Sequence, residues 1–576
     1  MRKIIIAGLI LLLVVICGYL YVRFHVLKTK DKDIKPDTAE EKNVLDLRPA
    51  LIAKLQQLVK DGSNGLYILS IQKLEPHIPE SKLDAANIFI KIDTAAMHHL
   101  DSLHLLPDDI FTFHFSSLHM DGIGIDDLLH RNRIEITGIY VSNPLIHLYH
   151  KKRSYNKTER EHADSLSLYE RLKGQMKKIS IGNINIEHAT FIDHDIVQKK
   201  AATKFNDVTI NINDLLIDSS TQYDAKRFLF AKHATLKTKN YAVATADSLY
   251  YFTAGEISIS GEQHKMIAQN VELKPRYNRE VFERKLPFRK DMYHFAFKKI
   301  TLNDVDWMAT MNNEKLISSR AEIAGGLFSD FIDRSKSQKP VIFNNFPSQL
   351  LMKAPFKVFI KRLDVKAVNV SYEEHNPLSE QNGTAYFDDL NGRINNITNM
   401  QAEIKLHRVA DFSGTALFMH HVPMTAKFSF DLSRYRTGNF SVDIIMDTLD
   451  NITINKISEP IGLFSVKTGQ MQHAQGHMDG NNFKTSGSIT MQYSNLHIKP
   501  LKKDKEEKGK LKTKTVTGFF ANMLLVKNEN QKGNELRQPN YSLQRDKFTT
   551  FFNLIWKTIL TGILKTIGIP VKLVIK

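Results

Sequence analysis

Five histidines crowd one stretch of this chain, His98, His99, His104, His114 and His119, and a pair stands at His420-His421. Imidazoles bind zinc when further His, Cys or carboxylate ligands recur at set spacings. No carboxylate accompanies these at such a spacing. Alternating strands direct several of them to a wet face, so they read as surface histidines and no metal is expected. Asp388-Asp389 has the makings of an acid–base pair, but Leu390-Asn391-Gly392 follows directly and points to a turn. There is no Gly-rich phosphate loop, no His-Glu-x-x-His and no Gly-x-Ser-x-Gly. The single cysteine is Cys17. No catalytic residue and no cofactor is assigned, and the chain reads as a non-enzyme.

What the chain does offer is apolar side chains in strand register. Ile134, Ile136, Ile139 and Val141 stand at i, i+2, i+5 and i+7. The spacing returns at Ile179, Ile181, Ile184 and Ile186, at Ile300, Leu302, Val305 and Trp307, and at Leu363, Val365, Val368 and Val370. Period two with a one-residue slip is the mark of a strand with a bulge, which restores the same side chains to one face. The intervals between copies are unequal, so this is a repeated strand motif and not a solenoid repeat. Met424, Ala426, Phe428, Phe430 and Leu432 alternate strictly, and Phe440, Val442, Ile444 and Met446 answer them after a loop, which predicts a hairpin. Strands are also expected at Asn87–Ile92, at Ile110–His119 and from Ile489.

Each strand has one oily and one wet face, and few helices lie between residues 180 and 500 to cover the oily one. Either sheet packs on sheet, or one sheet curls so that its oily face lines a trough. Helices are predicted over Leu47–Val59, over an interlude at Lys157–Met176, and over Lys547–Ile567. In the last, Phe552, Ile555, Ile559 and Ile563 follow helical spacing beside Trp556, and Phe551, Leu554, Leu560 and Leu564 widen the apolar face. This segment is an interfacial helix, a plug over the end of a sheet, or a poor second membrane span, with the plug preferred. Lys499–Lys514 mixes lysines with acids and reads as a solvated loop.

The run Ile4 to Val22, through Leu12, is apolar throughout. As a helix it covers roughly 28 Å, near the ~30 Å of a hydrocarbon core. No small-residue cleavage pattern follows, and Ile16 before Cys17 argues against lipidation, so an N-inside signal anchor is expected. Residues 31–45 read as a juxtamembrane linker. The anchor leaves no cysteine for disulfides in the exported part, which leans toward a bacterial envelope protein. The formal charge of +17 favours anionic partners. No basic cluster interleaved with aromatics reads as a nucleic-acid groove binder, so nucleic acid is set aside, leaving anionic lipid headgroups or acidic glycans.

With its anchor, the segments Ile179–Phe191 (Ile-Ser-Ile-Gly-Asn-Ile-Asn-Ile-Glu-His-Ala-Thr-Phe), Gly383–Thr398 and Gly487–Ile498 make the chain resemble the AsmA-like envelope proteins, relatives of AsmA and TamB. The resemblance is loose and covers most of the chain. It implies an inner-membrane anchor, a periplasmic β-groove, and a role in moving phospholipid toward the outer membrane or in outer-membrane assembly, with no catalytic residues. The expected organisation is an anchor at 1–30, a linker and helix at 31–60, an elongated β-groove at 61–500 and a Lys-rich loop with an amphipathic helix at 501–576. The fold expected is mainly β, a curled antiparallel sheet behind one transmembrane helix. About 25 strands at ~4.8 Å spacing would make a sheet roughly 120 Å long. Groove candidates are Ile134, Ile136, Ile179, Ile181, Ile184, Ile186, Leu302, Val305, Val365, Val368, Phe428, Phe430 and Val442. The expected ligand is a phospholipid or another acyl-chain lipid. The alternative is an assembly factor that meets outer-membrane or other envelope proteins through exposed strand edges.

Overall fold

A computed structural model of the chain describes residues 48–123, 133–195, 203–337 and 345–571, apart from 152, 157–176, 222–223, 225–226, 228–229, 246, 308, 311–314, 355, 505, 508, 514–525, 531–535 and 547–549. The expected anchor Ile4–Val22, the linker and the interlude Lys157–Met176 lie outside the described residues. Among those described, no helix is long and apolar enough to cross a membrane. The protein is mainly β, with 22 strands among the described residues. It divides into two compact units. The first takes residues up to 246 with 253–268 and 307–313, and the second takes 247–252, 269–306 and everything from 314.

The first unit opens with helix α1 (Arg48–Gly62), close to the span expected from its apolar spacing, and then β1 (Tyr67–His77), β2 (Lys82–Ile92), α2 (Thr94–Ser102), β3 (Asp109–Asp121), β4 (Arg133–Ser142), β5 (Leu145–His150), β6 (Lys178–Asp195), β7 (Thr203–Ile217) and β8 (Ala231–Ala244). The division between units passes through β9 (Tyr250–Ser260) and β10 (Lys265–Pro275). β4 and β5 share one lane, both facing β3 and β6. Between them Asn143 turns left-handed at φ 49 ahead of Pro144, which has no N–H to give the ladder.

The second unit holds α3 (Arg279–Lys285), β11 (Met292–Val305), β12 (Lys315–Asp333), α4 (Pro347–Met352), β13 (Lys357–Asn376), β14 (Gln381–Thr398), α5 (Gln401–Leu406), β15 (Val409–Phe418), β16 (Val422–Asp431), β17 (Phe440–Met446), β18 (Leu449–Asp450), α6 (Asn451–Ser458), β19 (Phe464–Gly480), β20 (Lys484–Lys503), β21 (Leu511–Thr513), β22 (Asn540–Gln544) and α7 (Phe551–Ile567). The predicted hairpin is β16–β17, with Phe428 facing Val442 and Phe430 facing Phe440.

Three sequence expectations need correction. The sheet is mixed and not purely antiparallel: β4 and β5 run parallel to β6, and β12 runs parallel to β13. Parallel neighbours need a crossover of a dozen residues or more. The segments after β5 and after β12 are long enough to supply it. Asp388-Asp389 is not in a turn. It sits inside β14, where pairing with β15 slips between Asp388 and Asn391 and Asp389 takes φ 47. The Lys499–Lys514 stretch is partly strand, since Lys499–Lys503 ends β20 and Leu501–Lys503 pairs with β21.

The repeated motif does mark bulged strands. In β13 the pairing with β14 shifts between Val365 and Val368, and Ala367 is left-handed at φ 51; Asp304 takes φ 50 at the equivalent place in β11. In the first unit two copies lie side by side, Ile134 against Ile179, Ile136 against Ile181 and Ile139 against Ile184, and all six side chains are buried.

Candidate functional site

Helix α7 lies on the apolar face of the second unit's sheet, and its sequence explains why. Phe551, Leu554, Ile555, Thr558, Gly562 and Leu564 are buried. Phe551, Leu554 and Ile555 pack with Phe440, Val442, Met478 and Phe346, while Leu564 and Ile567 pack with Val466, Met491, Tyr493 and Ile498. Polar contacts seat the helix as well: Thr558 Oγ1 meets Thr485 Oγ1 of β20 at 2.8 Å, with both side chains fully buried. Gly568 at φ 84 ends the helix in the left-handed cap that glycine favours.

Gly562 marks the closest approach. A Cβ there would stand 2.6 Å from Tyr541 Cε1 and 2.8 Å from Ile489 Cγ2. A mid-helix glycine costs about 1 kcal/mol relative to alanine, and here the contact with β20 and β22 explains it. Gly562→Leu is expected to cost about 1–3 kcal/mol by overpacking and to speed amide hydrogen exchange across α7. Wild-type exchange and an unchanged melting temperature in that variant would show that the helix is not held this tightly.

A second stripe of α7, Phe552, Trp556, Ile559 and Ile563 with Ile555, faces a chamber of about 580 Å³ inside the second unit. The opposite walls come from β12 to β17, β19 and β20, through residues such as Phe387, Phe412, Phe418, Met424, Phe428, Ile444, Met446 and Met471. Helix α6 adds Ile454 and Ile457. Strand alternation produces this wall, because residues at i and i+2 share a face. Methionines among the phenylalanines give the wall adaptable shape.

The chamber meets charge at β12 and β13. Asp330 and Tyr372 line it and face each other across the parallel ladder. Asp330 is only 7% exposed, and its Oδ1 has no hydrogen-bond partner among the described residues. Burial pushes its carboxyl up to about 8, with the nearby Asp291 adding to the shift. Burial also raises Asp291, whose Oδ2 accepts a hydrogen bond from Tyr293 Oη at 3.0 Å. Glu374, 1% exposed, is fully engaged: Arg334 Nη1 donates to Oε1 at 2.8 Å and Tyr372 Oη to Oε2 at 2.9 Å. Lys557 approaches from α7, and burial followed by Arg334 lowers its pKa.

Of the residues selected from the sequence, Phe428, Phe430, Phe552, Ile555, Trp556, Ile559 and Ile563 line this chamber. Phe552 is nonetheless 55% exposed. Val442 is buried under α7 and Ile186 is half-buried in β6. Ile134, Ile136, Ile179, Ile181, Ile184 and Ile186 belong to the first unit; Leu302, Val305, Val365 and Val368 belong to the second but do not line the chamber.

The histidines disperse. His98 and His99 sit exposed on α2, and His114 stacks on Phe89 with ring centroids 4.3 Å apart. His119 lies between Asp84 and Asp121, and His420 bonds Asp388 at 2.6 Å. Among the described residues no three His, Cys, Asp or Glu side chains converge as metal ligands.

Sequence reasoning missed the charged end. Its signal was present: in Phe328-Ser329-Asp330 and Val370-Ser371-Tyr372-Glu373-Glu374 a polar residue falls in phase with the apolar face. Compared with known protein families and with curated proteins, the chain matches none.

Proposed function

We propose that this chain is a non-enzymatic lipid-handling protein that takes an acyl chain into the chamber beneath α7. One observation carries the reading: a chamber of about 580 Å³ whose walls, drawn from many strands and from helices α6 and α7, are almost wholly aliphatic and aromatic. Small-molecule sites commonly span about 300–1,000 Å³. Burying an acyl chain gains about 0.8 kcal/mol per CH₂, so affinity needs no fixed set of polar contacts. The resemblance to AsmA-like proteins supports a phospholipid as ligand. It also supports the inner membrane of a Gram-negative-type bacterium as the location, with Ile4–Val22 as anchor, an extended periplasmic β-trough and a part in outer-membrane biogenesis.

The test uses neighbouring residues of β17. Ile444 lines the chamber, whereas Ile445 is an exposed residue of the same strand outside that lining. A photo-crosslinking amino acid placed at each position of the full chain in cells is expected to give lipid adducts at position 444 and few at 445. Absence of lipid at 444, or equal labelling at both, would overturn the reading.

A further inference from the structure

The chamber is not apolar to its end, and strand register locates the change. Phe295 of β11 faces Phe328 of β12, which faces Val370 of β13, which faces Phe387 of β14. Two residues along, the matching row is Tyr293, Asp330, Tyr372 and Ala385. An apolar row therefore gives way to a polar one within about 7 Å, two strand residues.

The polar row contains one unmet requirement. Asp330 is more than nine-tenths buried and lines the chamber, yet no donor reaches its Oδ1 among the described residues. Neither neighbouring arginine donates to Asp330 Oδ1 among the described residues, although Arg289 Nε has no acceptor there. Arg334 holds Glu374 at 2.8 Å, and Arg289 Nη2 donates to the backbone carbonyl of Lys336 at 3.1 Å. Among the described residues no lysine or arginine lines the chamber. Tyr372 commits its hydroxyl to Glu374 and Tyr293 commits its own to Asp291. A buried carboxylate oxygen without a donor is costly, and a ligand that brings a donor and a positive charge removes that cost. The adjoining Phe328, Tyr293 and Tyr372 rings suit a cation.

We propose that Asp330 receives the ammonium group of an amphiphile whose hydrocarbon chain lies in the chamber. The proposal rests on the chain-binding reading and adds a headgroup class to it. Burial holds the Asp330 carboxyl near pH 8, so the amine must displace a proton at neutral pH and its affinity rises as pH approaches 8. The titratable groups close to Asp330 are Tyr250, Asp291 and Tyr293, with Tyr372 from β13. Arg289, Arg334 and Lys557 of α7 surround Glu374.

Trp556 lines the chamber and is one of two tryptophans, the other being Trp307. The full chain carrying Trp307→Phe, in phosphatidylcholine nanodiscs, is titrated with chain-brominated dodecylamine, dodecanol and dodecanoate while Trp556 fluorescence is followed. Half-quenching by the amine is expected at a concentration at least tenfold lower than by the alcohol at pH 8. The preference should shrink toward pH 6 and vanish in Asp330→Asn, while the alcohol still quenches and so reports an intact chamber. Equal concentrations for all three, tighter binding of the carboxylate, or an amine preference that survives Asp330→Asn would overturn the ammonium site and leave chain binding standing. No quenching by any of the three would overturn chain binding itself, and the headgroup proposal with it.

Discussion

Phe551→Ala is expected to cost the second unit about 3–5 kcal/mol, the usual range for deleting a buried phenylalanine. The residue is 4% exposed. Its ring stands 5.1 Å from that of Phe346, 5.0 Å from Phe440 and 5.5 Å from Phe430, so three elements meet on one side chain. Edge-to-face packing adds to area burial in such clusters. The void would open at the first turn of α7, where Thr550 makes no side-chain cap to hold the end. Loss of the anchor should therefore loosen the helix from its N-terminus and raise access to the chamber. Calorimetry of the full chain should show the second unit's transition shifted down. Hydrogen exchange should rise first in residues 551–556. A loss below 1 kcal/mol would mean that α7 is held by its Leu564 end, among Val466, Met491 and Tyr493, and not by the aromatic cluster.

That cluster also shows which features were legible in the sequence. Strict alternation from Met424 to Leu432 and from Phe440 to Met446 sufficed for the β16–β17 hairpin, because one exposed and one buried face impose period two. The stripe Phe552, Ile555, Ile559 and Ile563 likewise pointed to an amphipathic helix, and α7 packs on the sheet's apolar face. The pairing partners were not legible. Ile134 and Ile179 carry the same motif, but nothing local says that their strands run side by side and parallel. Strand direction follows from where a connection returns, which is a non-local property. The wet and oily phases were assigned by counting, which found the apolar wall but passed over Asp330. A lone carboxylate in phase with phenylalanines looks like noise until register sets it beside Tyr293 and Tyr372.

Asp330 also sets an expected pH dependence of stability. Its folded pKa, about 8, lies above the ~3.9 of an unfolded aspartate. Below pH ~3.9 the carboxyl is protonated in both states and contributes no penalty. Between these values the folded state holds a proton that the unfolded state has released, so stability falls as pH rises, and the loss levels off above pH 8. The slope approaches about 1.4 kcal/mol per pH unit for one proton. Asp291 is raised by the same burial and shares the effect. Asp330→Asn removes this linkage while keeping the shape. Its amide still has to be solvated in the chamber, so the informative quantity is the difference from wild type across pH, not its sign at one pH. The variant's melting temperature for the second unit should gain steadily on wild type from pH 5 to pH 8 and then run parallel to it. A difference that stays constant across that range would mean that Asp330 is ionised throughout, with a cation beside it even when no amphiphile is bound.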